Sequence, residues 1–196
     1  MSVNVGLILF DGVEELDAIG PWEVFQVAAR MDTDLCCEMA SAGGNSVVAS
    51  KGLVINTENA LSSDLNYDVI LLPGGRVDQL LVDEQFLSCL RSLSEKAIWV
   101  TSVCTGALVF AHAGLLTGKQ CTSHHAVCDA LEDSGMTGEV VRNSRYVQDG
   151  KYVTAAGVSA GIDMALWLVG QLKSPALAKK VQHAIEYYPM PPYANE

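Results

Sequence analysis

The sequence predicts an α/β fold, with a mostly parallel sheet covered by helices on both faces. Three observations predict it. Short runs rich in Val, Ile and Leu recur along the chain, as buried parallel strands require. Segments with helical apolar spacing separate them. The 196 residues are 49% apolar, enough for one substantial core, and the expected unit is a single domain over residues 1–196.

Val3–Phe10 reads as the first strand, and Pro21–Met31 as a helix with Pro21 in its first turn and an apolar stripe of Val24, Phe25, Val27 and Ala28. Asp34–Ser41 is the next strand. Ala42-Gly43-Gly44-Asn45 is a turn, and Val47–Ala49 with Leu53–Asn56 forms a short hairpin. Tyr67–Leu72 is a buried strand closed by Pro73-Gly74-Gly75. Gln79–Lys96 is helical, in one or two pieces. Ala97–Val103 is a strand and Thr105–Ala113 a helix ended by Gly114. Lys119–Thr122 is a short strand and His125–Ser134 a helix. Tyr146–Asp149 and Lys151–Thr154 flank Gly150 as a hairpin, and Gly161–Leu172 and Pro175–Ile185 are the last helices. Three prolines, Pro189, Pro191 and Pro192, follow Tyr187-Tyr188, so the tail 187–196 is expected to be an extended arm against the body or a partner subunit.

Composition excludes several functions. The net charge is −11, from 12 basic and 23 acidic residues, and would repel a phosphate backbone, so no nucleic-acid partner is expected. No apolar run reaches the 18 or so residues of a membrane helix. The N-terminal run has no positive charge before it and meets Asp11 early, which suits a buried strand better than a secretion signal. A cytoplasmic location follows as an expectation. The six cysteines form no Cys-x-x-Cys pair and read as free thiols. In Cys121-Thr-Ser-His124-His125-Ala-Val-Cys128 the ligand types suit zinc. Adjacent histidines point different ways, however, and four-ligand sites use separated pairs, so no metal is expected.

The chemistry gathers at Cys104. It ends a buried strand and stands directly before Thr105-Gly106 and a helix. Ligands of open α/β sheets bind at the carboxyl ends of strands, and a sharp strand-to-helix turn lifts a nucleophile into the cleft. The helix N-terminus should favour the thiolate, which is the reactive form. Two further loops reach the same edge. Leu72-Pro73-Gly74-Gly75 offers backbone N–H groups for an oxyanion hole, or is an ordinary strand-ending turn. Asp11–Pro21 carries four carboxylates, of which Asp17 has the most apolar setting. Asp17 is a proton donor or acceptor near the thiol, or else caps the helix that follows. Trp22 and His124 are candidate pocket residues with Gly74. Ser159 is expected to cap the helix after it.

Val-Cys104-Thr-Gly, Pro73-Gly74-Gly75 and Leu-Asp17-Ala-Ile-Gly-Pro-Trp-Glu-Val-Phe together resemble the ThiJ/PfpI superfamily. Ala113–Gly118, Thr122-Ser123-His124, Ala160–Asp163 and Glu186–Pro192 extend the resemblance, most closely toward its isonitrile hydratase subgroup. It implies a flavodoxin-like three-layer sandwich, a homodimer, a small electrophilic substrate and no cofactor. It further implies Cys104 as nucleophile, Asp17 as its carboxyl partner, Thr105 orienting the thiol, and backbone donors at Gly75 and Thr105. The implied activity is that of a lyase hydrating an isocyanide to an N-substituted formamide through a thioimidate. Two alternatives stay open: a non-enzymatic cysteine sensor, and a glyoxalase or deglycase. Members that act as proteases or α-oxoaldehyde hydratases carry His directly after Cys, where this chain has Thr105, and the glyoxalase-like branch carries Glu where this chain has Asp17.

Overall fold

The computed structural model describes residues 2–193. Nine strands and six α-helices follow in order: β1 (Val3–Leu9), α1 (Glu15–Met31), β2 (Leu35–Ser41), β3 (Val47–Val48), β4 (Val54–Ile55), β5 (Asn59–Ala60), β6 (Val69–Leu72), α2 (Glu84–Lys96), β7 (Trp99–Val103), α3 (Gly106–His112), α4 (Cys128–Asp133), β8 (Tyr146–Asp149), β9 (Tyr152–Ala155), α5 (Ala160–Leu172) and α6 (Pro175–Ala184). Seven strands form one sheet in the order β5-β2-β1-β6-β7-β9-β8. All its pairings are parallel except β8 with β9, the hairpin turned at Gly150. β3 and β4 make a separate antiparallel pair. This is the flavodoxin-like α/β architecture that the resemblance implied.

The topology positions the site. From β1 the chain moves to β2 on one side, whereas β6 and β7 lie on the other. Right-handed crossovers in opposite directions put their helices on opposite faces. A crevice therefore opens at the carboxyl ends of β1, β6 and β7. Strands β1 and β6 show why the sheet is central: Val5, Leu7, Ile8, Leu9 and Val69 through Leu72 are all fully buried. The continuous apolar runs of the sequence are strands covered on both faces.

Several elements depart from the sequence expectation. Helix α1 starts at Glu15, not Pro21, so Pro21 lies inside it. Glu14 offers no side-chain cap. Tertiary bonds start the helix instead: Glu14 N–H donates to Gly74 O at 2.8 Å, and the Glu15 carboxylate accepts from Lys51 N–H at 2.6 Å and Ser50 Oγ at 2.9 Å. Pro21 has no N–H for the carbonyl four residues earlier, which is that of Asp17. Helix α2 begins only at Glu84, where Asp83 caps it by accepting from Phe86 N–H at 3.0 Å. Lys119–Thr122 contributes one bridge, Cys121 with Val140, rather than a strand. The helix expected from His125 opens as a 3-10 turn before α4. Strand β5, two residues at the sheet edge, was too short to carry a pattern. Ser159 stands at the start of α5 without capping it; its hydroxyl accepts from Arg145 at 3.1 Å.

Of the tail, residues 187–193 are described. Tyr187 N–H donates to Gln182 O and Gln182 Nε2 to Tyr187 O, both at 3.1 Å, which folds the chain back onto α6. Pro189 and Met190 border a groove of about 1210 Å³ with Leu166, Trp167 and Ala178. Beyond Tyr187 the described residues Tyr188–Tyr193 are exposed, Met190 at 88%. Residues 194–196 of that expectation fall outside the described part. Among the described residues no helix is long and apolar enough to cross a membrane.

Candidate active site

Cys104 follows β7 with φ +58°, in the left-handed region that non-glycine residues avoid. The turn into α3 is tight: a Cβ at Gly106 would lie 2.4 Å from Leu72 O. Cys104 N–H donates to Ala155 O and Ala156 O, both at 3.1 Å, and Ser123 Oγ donates to Cys104 O at 2.7 Å. Strain of this kind clusters at functional sites, where surrounding structure holds it. The strand-to-helix elbow read from the sequence is therefore present, and its thiol is 6% exposed.

The loop after β6 closes on it from one side. Gly74 N–H donates to Asp17 Oδ2 at 2.9 Å. A Cβ at Gly74 would stand 2.6 Å from Thr105 N and 2.8 Å from Asp17 Oδ2, so only glycine fits between elbow and carboxylate. At Gly75, φ is +138°. Its N–H donates to Thr105 Oγ1 at 2.9 Å, and Thr105 Oγ1 donates in turn to Gly75 O at 3.1 Å. The Thr105 hydroxyl thus braces the β6 loop, while its backbone N–H reaches the Cys104 thiol. The N–H of Gly75, expected as an oxyanion donor, is occupied by that hydroxyl.

Asp17 is fully buried in the first turn of α1. Oδ2 has Gly74, and Oδ1 has no hydrogen-bond partner. Burial pushes the carboxyl up to about 6, against hydrogen bonds from Gly74 and Cys104, and nearby Glu14 adds to the rise. Burial likewise pushes the Cys104 thiol up to about 12, with the Asp17 charge reinforcing it, while the Thr105 and Val158 N–H groups work the other way. This corrects the expectation of a thiolate made by the helix terminus. Helix α3 spans seven residues, and desolvation beside a carboxylate outweighs its N–H groups. Near neutral pH the two groups hold one proton between them, resting mainly on sulfur.

Val158 was not singled out from the sequence. Its N–H serves both Cys104 and Asp17, and its φ is +48°. A backbone donor carries no side-chain signature, so only the small residues around it could have pointed there. His124 accepts from Ala126 N–H at 3.2 Å through Nδ1 and stacks on His125 at 4.2 Å between ring centroids. Burial lowers its pKa, and His125 lowers it further. It lines a cavity of about 470 Å³ with Thr122, Ser123, Gly157 and Val158, which carries it to the edge of the site but not into the Asp17–Cys104 pair. Trp22 packs half-buried against the hydrophobic core, outside this hydrogen-bond network. Among the described residues no three His, Cys, Asp or Glu side chains converge as metal ligands.

Fold and site together define a class: an α/β protein with a cysteine on a strained strand-to-helix elbow and a carboxylate from the first helix beside it. Residues 3–171 match the DJ-1/PfpI family, and the chain belongs to that family. It is 38% identical over 194 residues to an isonitrile hydratase of Pseudomonas putida, across 98% of this chain and 82% of that protein. It is 31% identical over 182 residues to the HTH-type transcriptional regulator CdhR of Pseudomonas aeruginosa, spanning 92% of this chain and 54% of the regulator. Among solved structures, a THiJ/PfpI family protein from Pseudomonas syringae superposes with a TM-score of 0.88 at 28% identity, covering 98% of this chain and 78% of that one. Drosophila melanogaster DJ-1beta superposes with a TM-score of 0.85 at 23% identity, covering 96% of this chain and all of that one, a likeness of fold.

Proposed function

We propose that this protein is an isonitrile hydratase, converting an isocyanide and water to an N-substituted formamide. The observation that carries the reading is the buried Asp17–Cys104 pair sharing one proton, in a chain similar to an isonitrile hydratase over 98% of its length. The chemistry needs a nucleophile that attacks carbon and an acid–base group that follows the proton. Asp17 takes the thiol proton as sulfur bonds to the isocyanide carbon. Asp17 then returns that proton to the same carbon, leaving a thioimidate, R–N=CH–S–Cys104. Water adds to this carbon, its proton passing through Asp17 to nitrogen. The tetrahedral adduct collapses, the C–S bond breaks, the hydroxyl proton returns to sulfur, and R–NH–CHO leaves. Backbone N–H groups of Thr105 and Val158 stabilise the sulfur when it carries charge.

Every proton in this scheme is accounted for between water, Asp17 and the thiol, so the reaction closes without a cofactor. The proposal includes action as a homodimer, as the resemblance implies, and in the cytoplasm, as the sequence leads one to expect. A sensor reading, with Cys104 oxidised to a sulfinate, has less support, because oxidation needs thiolate and this pocket holds the thiol neutral. Glyoxalase or deglycase chemistry has less support, because that branch carries Glu where Asp17 stands.

The test is hydration of a simple alkyl or aryl isocyanide, with the formamide measured by mass spectrometry for wild type and Cys104→Ala. Product from wild type alone is expected. No product from wild type would overturn the reading.

A further inference from the structure

Cys104 of the pair, at φ +58°, and Val158 beside it, at φ +48°, both hold a backbone conformation that side chains disfavour. For β-branched Val158 this is a marked outlier. Such conformations persist only where neighbouring contacts over-determine them. One two-residue segment, Ser123-His124, touches Cys104 and Gly157, the residue before Val158. The Ser123 hydroxyl donates to Cys104 O at 2.7 Å, with both residues buried. Besides it, that carbonyl receives only the longer bond from Ala107 N–H, at 3.4 Å. The His124 ring rests against Gly157, where a Cβ would stand 2.3 Å from Cδ2 and 3.1 Å from Nε2. Gly157 directly precedes Val158, whose N–H serves the thiol and the carboxylate.

The segment is itself anchored. Thr122 N–H donates to Thr154 Oγ1 on β9 at 2.7 Å. Cys128 Sγ points back to Ser123 O at 3.6 Å and His124 O at 3.5 Å. A rigid turn thus bridges from the sheet to the carbonyl of the nucleophile.

We propose that Ser123 is a positioning residue for Cys104: its hydroxyl holds the elbow in the left-handed conformation that aims the sulfur at Asp17. This rests on reading Cys104 as the reacting thiol and not on the identity of the electrophile. The charged groups acting on the pair are Asp17 itself and Glu14, both from the β1–α1 region, and His124 feels Glu14 and His125. Ser123 adds no charge. Its effect on titration is through geometry alone. Without the hydroxyl the elbow relaxes toward an ordinary backbone conformation and the sulfur turns away from the carboxylate.

The experiment is alkylation by iodoacetamide between pH 5 and 10, quantified at Cys104 by peptide mass spectrometry, with exposed Cys36 as internal reference. Wild type, Ser123→Ala and Ser123→Thr are compared. In the wild type Cys104 changes rate near pH 6, where the pair loses its first proton, and remains far from fully reactive at pH 10. In Ser123→Ala the change near pH 6 is lost. The thiol then loses the carboxylate's share of its rise while burial still holds it above the ordinary cysteine value, so alkylation at pH 9 rises roughly tenfold, as for a fall of about one pKa unit. Ser123→Thr keeps a hydroxyl and the wild-type profile. An alanine variant with the wild-type profile, or a threonine variant as altered as alanine, would overturn the proposal. Should Ser123→Ala not fold, Ser123→Cys, a poor donor, carries the same test with the same expected shift. Isocyanide hydration is measured alongside: in Ser123→Ala, kcat falls about tenfold with KM unchanged. A wild type without hydration would overturn the substrate reading, and the alkylation profile would still decide the role of Ser123.

Discussion

Replacing Asp17 by asparagine should make the protein more stable above pH 6 while removing its chemistry. The carboxyl titrates near 3.8 when unperturbed and is pushed up to about 6 in the fold, chiefly by burial. A group whose folded pKa is raised favours folding at low pH. That contribution is complete below the unfolded value and is lost as pH rises through the folded one. Between about pH 4 and pH 6 the folded protein binds more protons than the unfolded chain, so stability falls across this window. The difference of about two pKa units corresponds to about 3 kcal/mol. Asparagine does not titrate, and its carbonyl can still accept from Gly74 N–H. Its amide nitrogen must take the place of Oδ1, which among the described residues has no partner, and an unsatisfied buried donor there returns about 1–2 kcal/mol. The net gain at pH 8 is then about 1–2 kcal/mol, and the difference between the two proteins changes by about 3 kcal/mol from pH 4 to pH 8. The Cys104 thiol stays protonated throughout, and all other titrations cancel in the comparison. Urea denaturation of both proteins at several pH values reads the difference directly. A difference that does not vary with pH, or that turns against asparagine as pH rises, would refute the argument that Asp17 is charged at a cost.

Three further outcomes follow from the same geometry. Isocyanide hydration should fall about tenfold per pH unit below pH 6, as Asp17 takes up the proton it must accept, and should show no alkaline loss from thiol ionisation up to pH 10; a pH–rate profile checks this. Gly74→Ala should cost about 1–3 kcal/mol and most of the activity, because its Cβ would press on Thr105 N and Asp17 Oδ2 together; melting temperature and product formation report the two effects. Thr105→Val should cost about 1–2 kcal/mol by leaving Gly75 N–H without its acceptor, and chemical denaturation measures it.

How far the site could be read from sequence depended on whether local chemistry or tertiary contact made each feature. The elbow was readable because three local signals coincide: an apolar strand, a cysteine at its end, and glycine one residue beyond Thr105. Gly74 was readable as half of a Gly pair closing a strand; that nothing larger fits beside the carboxylate emerges only from the fold. The start of α1 was not readable. Glu14 is a poor cap, and the bonds that begin the helix come from Gly74 and from Ser50-Lys51, far away in the chain. That difference matters to function, since it puts Asp17 in the first turn of a helix and not in a loop. The state of the thiol was misjudged for a related reason. A helix terminus is visible in sequence, but the burial and the neighbouring carboxylate that outweigh it exist only once α1, the β6 loop and the elbow have met. Val158 marks the deepest case. Its contribution is an N–H held at positive φ, which any residue type could supply, so the identity of the side chain says nothing about it. What sequence does record there is the room it needs: Gly157, where the His124 ring leaves no space for a Cβ. Backbone groups at an active site are thus legible only through the small residues that let them come close.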